Sequence, residues 1–153
     1  MMLKDWYDIL VKRFPELTLA VGGTYALQLQ GIELKRKPHD IDLMIVHSCG
    51  TSILEKYRRF FRFLYKYDGP YIDWMEEKWE TNDNDYILVD GVLCFTIENI
   101  IKGKQFLIDS GKLKDEAIEK HKKDIIEIER QLKEKEENNS KMIEKPRLMS
   151  LSL

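Results

Sequence analysis

Apolar residues recur along this chain with two periods. Trp6, Ile9, Leu10 and Phe14 fall three and four positions apart, which predicts one face of a helix over 3–14, ended by Pro15. The same spacing returns in Ile53, Tyr57, Phe60, Phe61 and Leu64, with Lys56, Arg58, Arg59, Arg62 and Lys66 on the other side. It returns again in Ile97, Ile100, Ile101, Leu107 and Ile108, where Thr96 opens a helix and Ser110-Gly111 closes it. A longer helix starts near Lys114, with Ile118, His121, Ile125, Ile128 and Leu132 forming a packing seam.

Between these helices lie short runs of strand character. Leu17 to Val21 is one, and Asp40 to Val46 is a second, whose Leu43-Met44-Ile45-Val46 run predicts burial on both faces. Tyr71-Ile72-Asp73-Trp74 is a third. Tyr86 to Val89 and Val92 to Phe95 flank Asp90-Gly91, the two-residue turn of a β-hairpin. Past Lys135 the periodicity is lost, so the reading is a domain over 1–135 and a loosely ordered tail over 136–153.

The stretch from Leu19 to Val46 carries the chemistry. An apolar run ends in Gly22-Gly23, a corner where the backbone turns tightly and approaches a ligand closely because no Cβ intervenes. A short helix follows over Thr24 to Gln30, with Gly31 suited to end it. Its first turn presents free N–H groups, which suit phosphate. The next strand opens with Asp40-Ile41-Asp42. Two carboxylates one residue apart on a strand share a face, where they repel and lose solvation unless a cation neutralises them. Hard oxygen ligands suit Mg²⁺, and two such groups can bridge ions about 4 Å apart, as in phosphoryl transfer.

A diglycine after a strand, a short helix and an Asp-x-Asp on the next strand resemble the nucleotidyltransferase superfamily with the polymerase-beta-like fold. The local text Arg36-Lys37-Pro38-His39-Asp40-Ile41-Asp42-Leu43 is most similar to its aminoglycoside-type and toxin/antitoxin-type branches. The resemblance covers about 25 residues well and about 110 loosely. It implies an α/β (α+β) class: a minimal core with a short mixed sheet flanked by helices and closed by two C-terminal helices.

The resemblance also implies site residues. The third carboxylate comes from a later strand, and Asp73 fits that place better than Asp90, whose Asp-Gly setting marks a turn former. Asp40, Asp42 and Asp73 would then hold two Mg²⁺ ions, with Asp73 also a proton acceptor and Glu76 and Glu77 as fallback bases. Gly22, Gly23 and Thr24 would hold the triphosphate; many relatives have Gly-Ser at this turn, so here a hydroxyl contact falls to Thr24. Arg36 and His39 match the family text and join the nucleotide site, whereas Lys35 and Lys37 read equally well as solvated loop. Lys102, Lys104, Lys120, Lys122 and Lys123 lie on the C-terminal helices, where relatives often use a Lys or Arg to touch the nucleotide phosphates, and Lys104 is the one assigned to the nucleotide set. Lys120-His121-Lys122-Lys123-Asp124-Ile125 is similar to the closing helix of toxin-type relatives, with His121 read as a packed residue of the seam.

Composition narrows the setting. The chain has 153 residues, 43% hydrophobic and 34% charged, the make-up of a single globular domain. A net charge of −2 excludes a wholly basic nucleic-acid binder, so any such surface is local. Cys49 and Cys94 form neither a CxxC pair nor part of a His/Cys cluster, so no zinc site or disulfide framework is expected. Met1-Met2-Leu3-Lys4-Asp5 lacks the pattern of a signal peptide and no apolar run approaches membrane-spanning length, so the expectation is a cytoplasmic protein.

The expected activity is transfer of a nucleoside monophosphate from an NTP, ATP among the candidates, to an acceptor hydroxyl, with release of pyrophosphate. The acceptor is open among a small molecule, a tRNA end and a protein. Two other readings stand beside it: a non-catalytic NTP-binding regulatory or antitoxin-type protein with a cognate partner, and an RNA-binding helical module using the aromatic and basic residues of 56–66.

Overall fold

The computed structural model describes residues 3–35, 40–46, 71–76 and 83–151, and for Asp40, 71–76, Asp83 and 141–151 it describes the backbone alone. The elements are α1 (Leu3–Arg13), β1 (Thr18–Gly22), α2 (Gly23–Leu29), β2 (Asp40–Val46), β3 (Tyr71–Glu76), a 3₁₀ turn (Asp83–Asp85), β4 (Tyr86–Val89), β5 (Val92–Phe95), α3 (Ile97–Asp109) and α4 (Asp115–Leu151). The expected α+β class is observed, with a mixed sheet and two C-terminal helices. The basic helix expected around 56–66 lies outside the described residues, as do Arg36, Lys37, His39, Cys49 and Glu77.

The chain forms two compact units, Met1–Gly103 and Lys104–Leu153. The first holds a five-stranded sheet in the order β3-β2-β1-β5-β4. β1 runs antiparallel to β2 and parallel to β5, β2 pairs with β3 in parallel, and β4 with β5 antiparallel. β1 is central, and Leu19, Ala20, Val21 and Gly22 are all buried. β2 instead alternates. Ile41, Leu43 and Ile45 are fully buried, whereas Asp42, Met44 and Val46 are half-buried. The expected burial on both faces of β2 is therefore met on one face only, because Met44 and Val46 share a face with Asp42.

α1 buries Tyr7 and Leu10, and Phe14 just beyond it is buried too, while Ile9 is 43% exposed. The inward face is thus rotated by about one residue from the Trp6–Ile9–Leu10–Phe14 stripe. The reason is Tyr7, which the apolar pattern passed over. Its hydroxyl donates to the Leu19 carbonyl at 3.0 Å and accepts from the Leu93 N–H at 3.2 Å, tying α1 to β1 and β5. Gln30 closes α2 by donating to the Phe95 carbonyl at 2.8 Å, and Gly31 takes the left-handed conformation, φ +82°, expected of a helix-ending glycine.

In the hairpin, Asp90 and Gly91 both have positive φ, +50° and +79°, as a tight two-residue turn requires. Thr96 caps α3, its Oγ1 accepting from the Asn99 N–H at 3.1 Å. In the second unit, α4 carries helical backbone through the residues assigned above to a tail from 136. Residues 133–140 are all exposed, so over that span helix-forming Lys and Glu, rather than burial, support the helix.

Candidate active site

The acidic residues of β2 and β3 come together through register. Asp42 pairs with Gly22 across the antiparallel β1–β2 ladder and with Asp73 across the parallel β2–β3 ladder. Asp40 pairs with Tyr71, one step before Ile41 and Ile72. Strand alternation places positions 40 and 42 on one face, and parallel register puts position 73 on that face beside 42. It is the face opposite Ile41, Leu43 and Ile45, away from the apolar core. Glu76, partnered with Ile45, occupies the other face from Asp73, which weakens its standing as a fallback base.

The diglycine corner is built against this pair. Gly23, the first residue of α2, has φ +62°, a conformation open to glycine and strained for residues with a Cβ. A Cβ there would overlap Oδ2 of Asp42 and lie 3.1 Å from its Cγ. The absent side chain is thus what lets the Asp42 carboxylate sit against the turn. At Gly22 a Cβ would meet the Phe95 ring at 3.2 Å, so this glycine admits an aromatic neighbour from β5. Gly22 precedes α2 and, as a glycine, supplies no side-chain capping bond to its first turn. Thr24 is half-buried at the same corner.

Other expected residues lie elsewhere. Asp90 occupies the hairpin turn, with positive φ, as its Asp-Gly setting implied. Lys104 belongs to the second compact unit, where its Nζ donates to Oδ2 of Asp124 at 3.0 Å and lies 3.5 Å from Nδ1 of His121. Both partners are nearly enclosed, with side-chain exposures of 12% and 8%. Asp124 has no role of its own in the sequence pattern. The available signal was its spacing, three positions after His121 and four before Ile128, on the buried seam.

Three further groups are perturbed by burial. Burial pushes the Tyr25 phenol up to about 12, with nearby Cys94, Asp8, Asp5 and Tyr7 adding to the effect. The Tyr25 hydroxyl is enclosed and, among the described residues, makes no hydrogen bond. Burial likewise pushes the Cys94 thiol up to about 11, which makes it an inert core thiol rather than a nucleophile. Tyr7 is raised as well, chiefly by burial, with the Leu93 N–H acting in the opposite sense.

Among the described residues no three His, Cys, Asp or Glu side chains gather as a metal site, and the described side chains include Asp42 but neither Asp40 nor Asp73. Likewise, no helix among them is long and apolar enough to cross a membrane. No family model matches the chain, and no curated protein matches it. Two solved structures of ANT(2'')-Ia are similar to it. One, a crystal structure in complex with adenylyl-2''-tobramycin, is 17% identical over 74% of this chain and 81% of that one, with a TM-score of 0.44. The other, a solution structure of this antibiotic-resistance factor, is 15% identical over 89% of this chain and 91% of that one, also with a TM-score of 0.44. Likeness at this level transfers neither activity nor site residues.

Proposed function

We propose that this protein is a metal-dependent nucleotidyltransferase, moving a nucleoside monophosphate from an NTP to an acceptor hydroxyl. The observation that carries the reading is the shared sheet face of positions 40, 42 and 73, beside a glycine corner that a Cβ would close. Three carboxylates brought to one face form an unfavourable cluster by themselves, and the donor set is all oxygen, which fits Mg²⁺.

Asp40, Asp42 and Asp73 would hold the metal, which when bound neutralises phosphate charge and lowers the pKa of a coordinated hydroxyl. Backbone N–H groups at Gly22, Gly23 and Thr24 would orient the triphosphate, with Arg36 and His39 adding positive charge from the loop before β2. Asp73 would accept the proton of the acceptor hydroxyl. The acceptor oxygen then forms a bond to the α-phosphorus, the bond between that phosphorus and the bridging oxygen breaks, and pyrophosphate leaves. Lys104 is the less favoured member of the nucleotide set, because its ammonium is already engaged by Asp124.

The test is incubation of the protein with each α-labelled NTP and Mg²⁺ in a cell lysate. A labelled product that disappears with Asp40→Ala supports transfer and reveals the acceptor. Nucleotide binding without a labelled product would favour a regulatory role instead. RNA binding that is steeply salt-dependent and indifferent to Asp40→Ala would favour the RNA-binding reading.

A further inference from the structure

The sheet ends in an apolar strand that nothing in the proposed reaction uses. β4 is last in the strand order, and among the described residues no strand pairs beyond it. Its middle residues are open to solvent on both faces, Ile87 by 45% and Leu88 by 69%. Open, uncharged edges of this kind are templates for another strand, and proteins ordinarily blunt them with Lys, Pro or a bulge. β4 has none of these in Tyr86–Val89.

The edge is also held in place. The Asp85 carbonyl at its base accepts from the Thr96 N–H at 3.0 Å and from Nδ2 of Asn99 at 3.3 Å. The Tyr86 ring packs edge-on against Phe95, with centroids 5.4 Å apart. An incoming strand would therefore meet a preformed template and lose little to ordering it.

Charge selects the occupant. Asp85 and Asp90 bracket the four-residue strand. In an antiparallel pairing of β4 with a second copy, opposed residues share a face, so the two-fold passes through Ile87 or Leu88, and in either register Asp85 of each copy falls within one position of Asp90 of the other. That like-charge proximity at both ends disfavours self-association. We propose that β4 accepts an extended segment of a partner protein, apolar or β-branched along its length and flanked by Lys or Arg, added as a sixth strand. This inference is independent of the nucleotide site.

The probe is a capped hexapeptide, Lys-Val-Thr-Val-Thr-Lys, compared with the same peptide bearing Glu at both ends, with binding followed by fluorescence anisotropy. The Lys-flanked peptide is expected to bind roughly tenfold or more tightly than the Glu-flanked one, with the difference shrinking as salt rises. Hairpin register leaves the Leu88 N–H pointing away from β5, so Leu88→Pro removes an outward donor without breaking the β4–β5 ladder. Leu88→Pro and, separately, Leu88→Lys are expected to abolish binding while circular dichroism and Tm stay near wild type. No binding of the Lys-flanked peptide, equal binding of the two peptides, or binding that survives Leu88→Lys in the folded variant would overturn the proposal. So would a concentration-dependent dimer in sedimentation that Leu88→Lys dissolves.

Discussion

Asp42 and Asp73 are direct register partners in the parallel β2–β3 ladder, although 31 positions separate them in the chain. Asp42 is at the same time the register partner of Gly22, so one residue joins the acidic face to the glycine corner. In the proposed reaction this makes Asp42 and Asp73 parts of a single site. Asp73→Asn should lower label transfer by about 10²–10⁴-fold, the range typical of losing a positioned proton-transfer group, and Asp42→Asn should lower it through loss of the metal. Asp90→Asn, in the hairpin turn, should leave transfer unchanged and serves as the control.

Gly23→Ala tests the corner. Left-handed backbone costs an L-residue about 1–2 kcal/mol, so the variant should be less stable by that order in urea unfolding. The new Cβ would also displace the Asp42 carboxylate. Transfer should therefore fall much further than stability, whereas Gly22→Ala, which meets only the Phe95 ring and has φ −115°, should be milder in both respects.

Stability should decline at alkaline pH. Cys94 and Tyr25 both have folded-state pKa values above their ordinary ones, about 11 and about 12. Below about pH 9 both groups are protonated in the folded and unfolded chain, and their full contribution is present. As pH rises through that range the unfolded chain loses these protons first, so Tm should fall progressively between pH 9 and 12. Tyr25→Phe should flatten the upper part of this decline. At neutral pH the same change removes a buried hydroxyl that makes no hydrogen bond among the described residues, so it should be neutral or stabilising.

The Lys104–Asp124 pair calls for a double-mutant cycle. Asp124→Leu alone leaves an enclosed ammonium without its carboxylate and should cost about 3–5 kcal/mol. Combining it with Lys104→Met should restore most of that loss, because the paired charges gain little over apolar groups of similar volume. Urea unfolding of the four proteins measures the coupling. If Lys104 also contacts nucleotide, the double variant will be stable yet raised in KM for NTP.

Much of this fold was legible in the apolar pattern. β2, the hairpin and the cap of α3 fall where periodicity, Asp-Gly and Thr96 placed them, since each depends on local chemistry. The inward face of α1 was not legible, because it depends on a tyrosine hydroxyl reaching Leu19 and Leu93, contacts far apart in sequence. The Lys104–Asp124 pair was hidden for a similar reason: a single buried carboxylate on a charged helix looks like its solvated neighbours. For the candidate site, Asp40, Asp42 and the glycine corner were singled out by their combination and its family resemblance, since an Asp-x-Asp by itself is common on solvated strands. The pairing of Asp73 with Asp42 needed the sheet register, which no local pattern encodes.

The most direct measurement is the titration of Mn²⁺, as a reporter for Mg²⁺, into the protein, followed by electron paramagnetic resonance. Bound Mn²⁺ is expected in the wild type, with affinity lost by at least about tenfold in both Asp42→Asn and Asp73→Asn and unchanged in Asp90→Asn. Binding that survives Asp73→Asn while Asp42→Asn abolishes it would separate the two register partners and contradict a shared site.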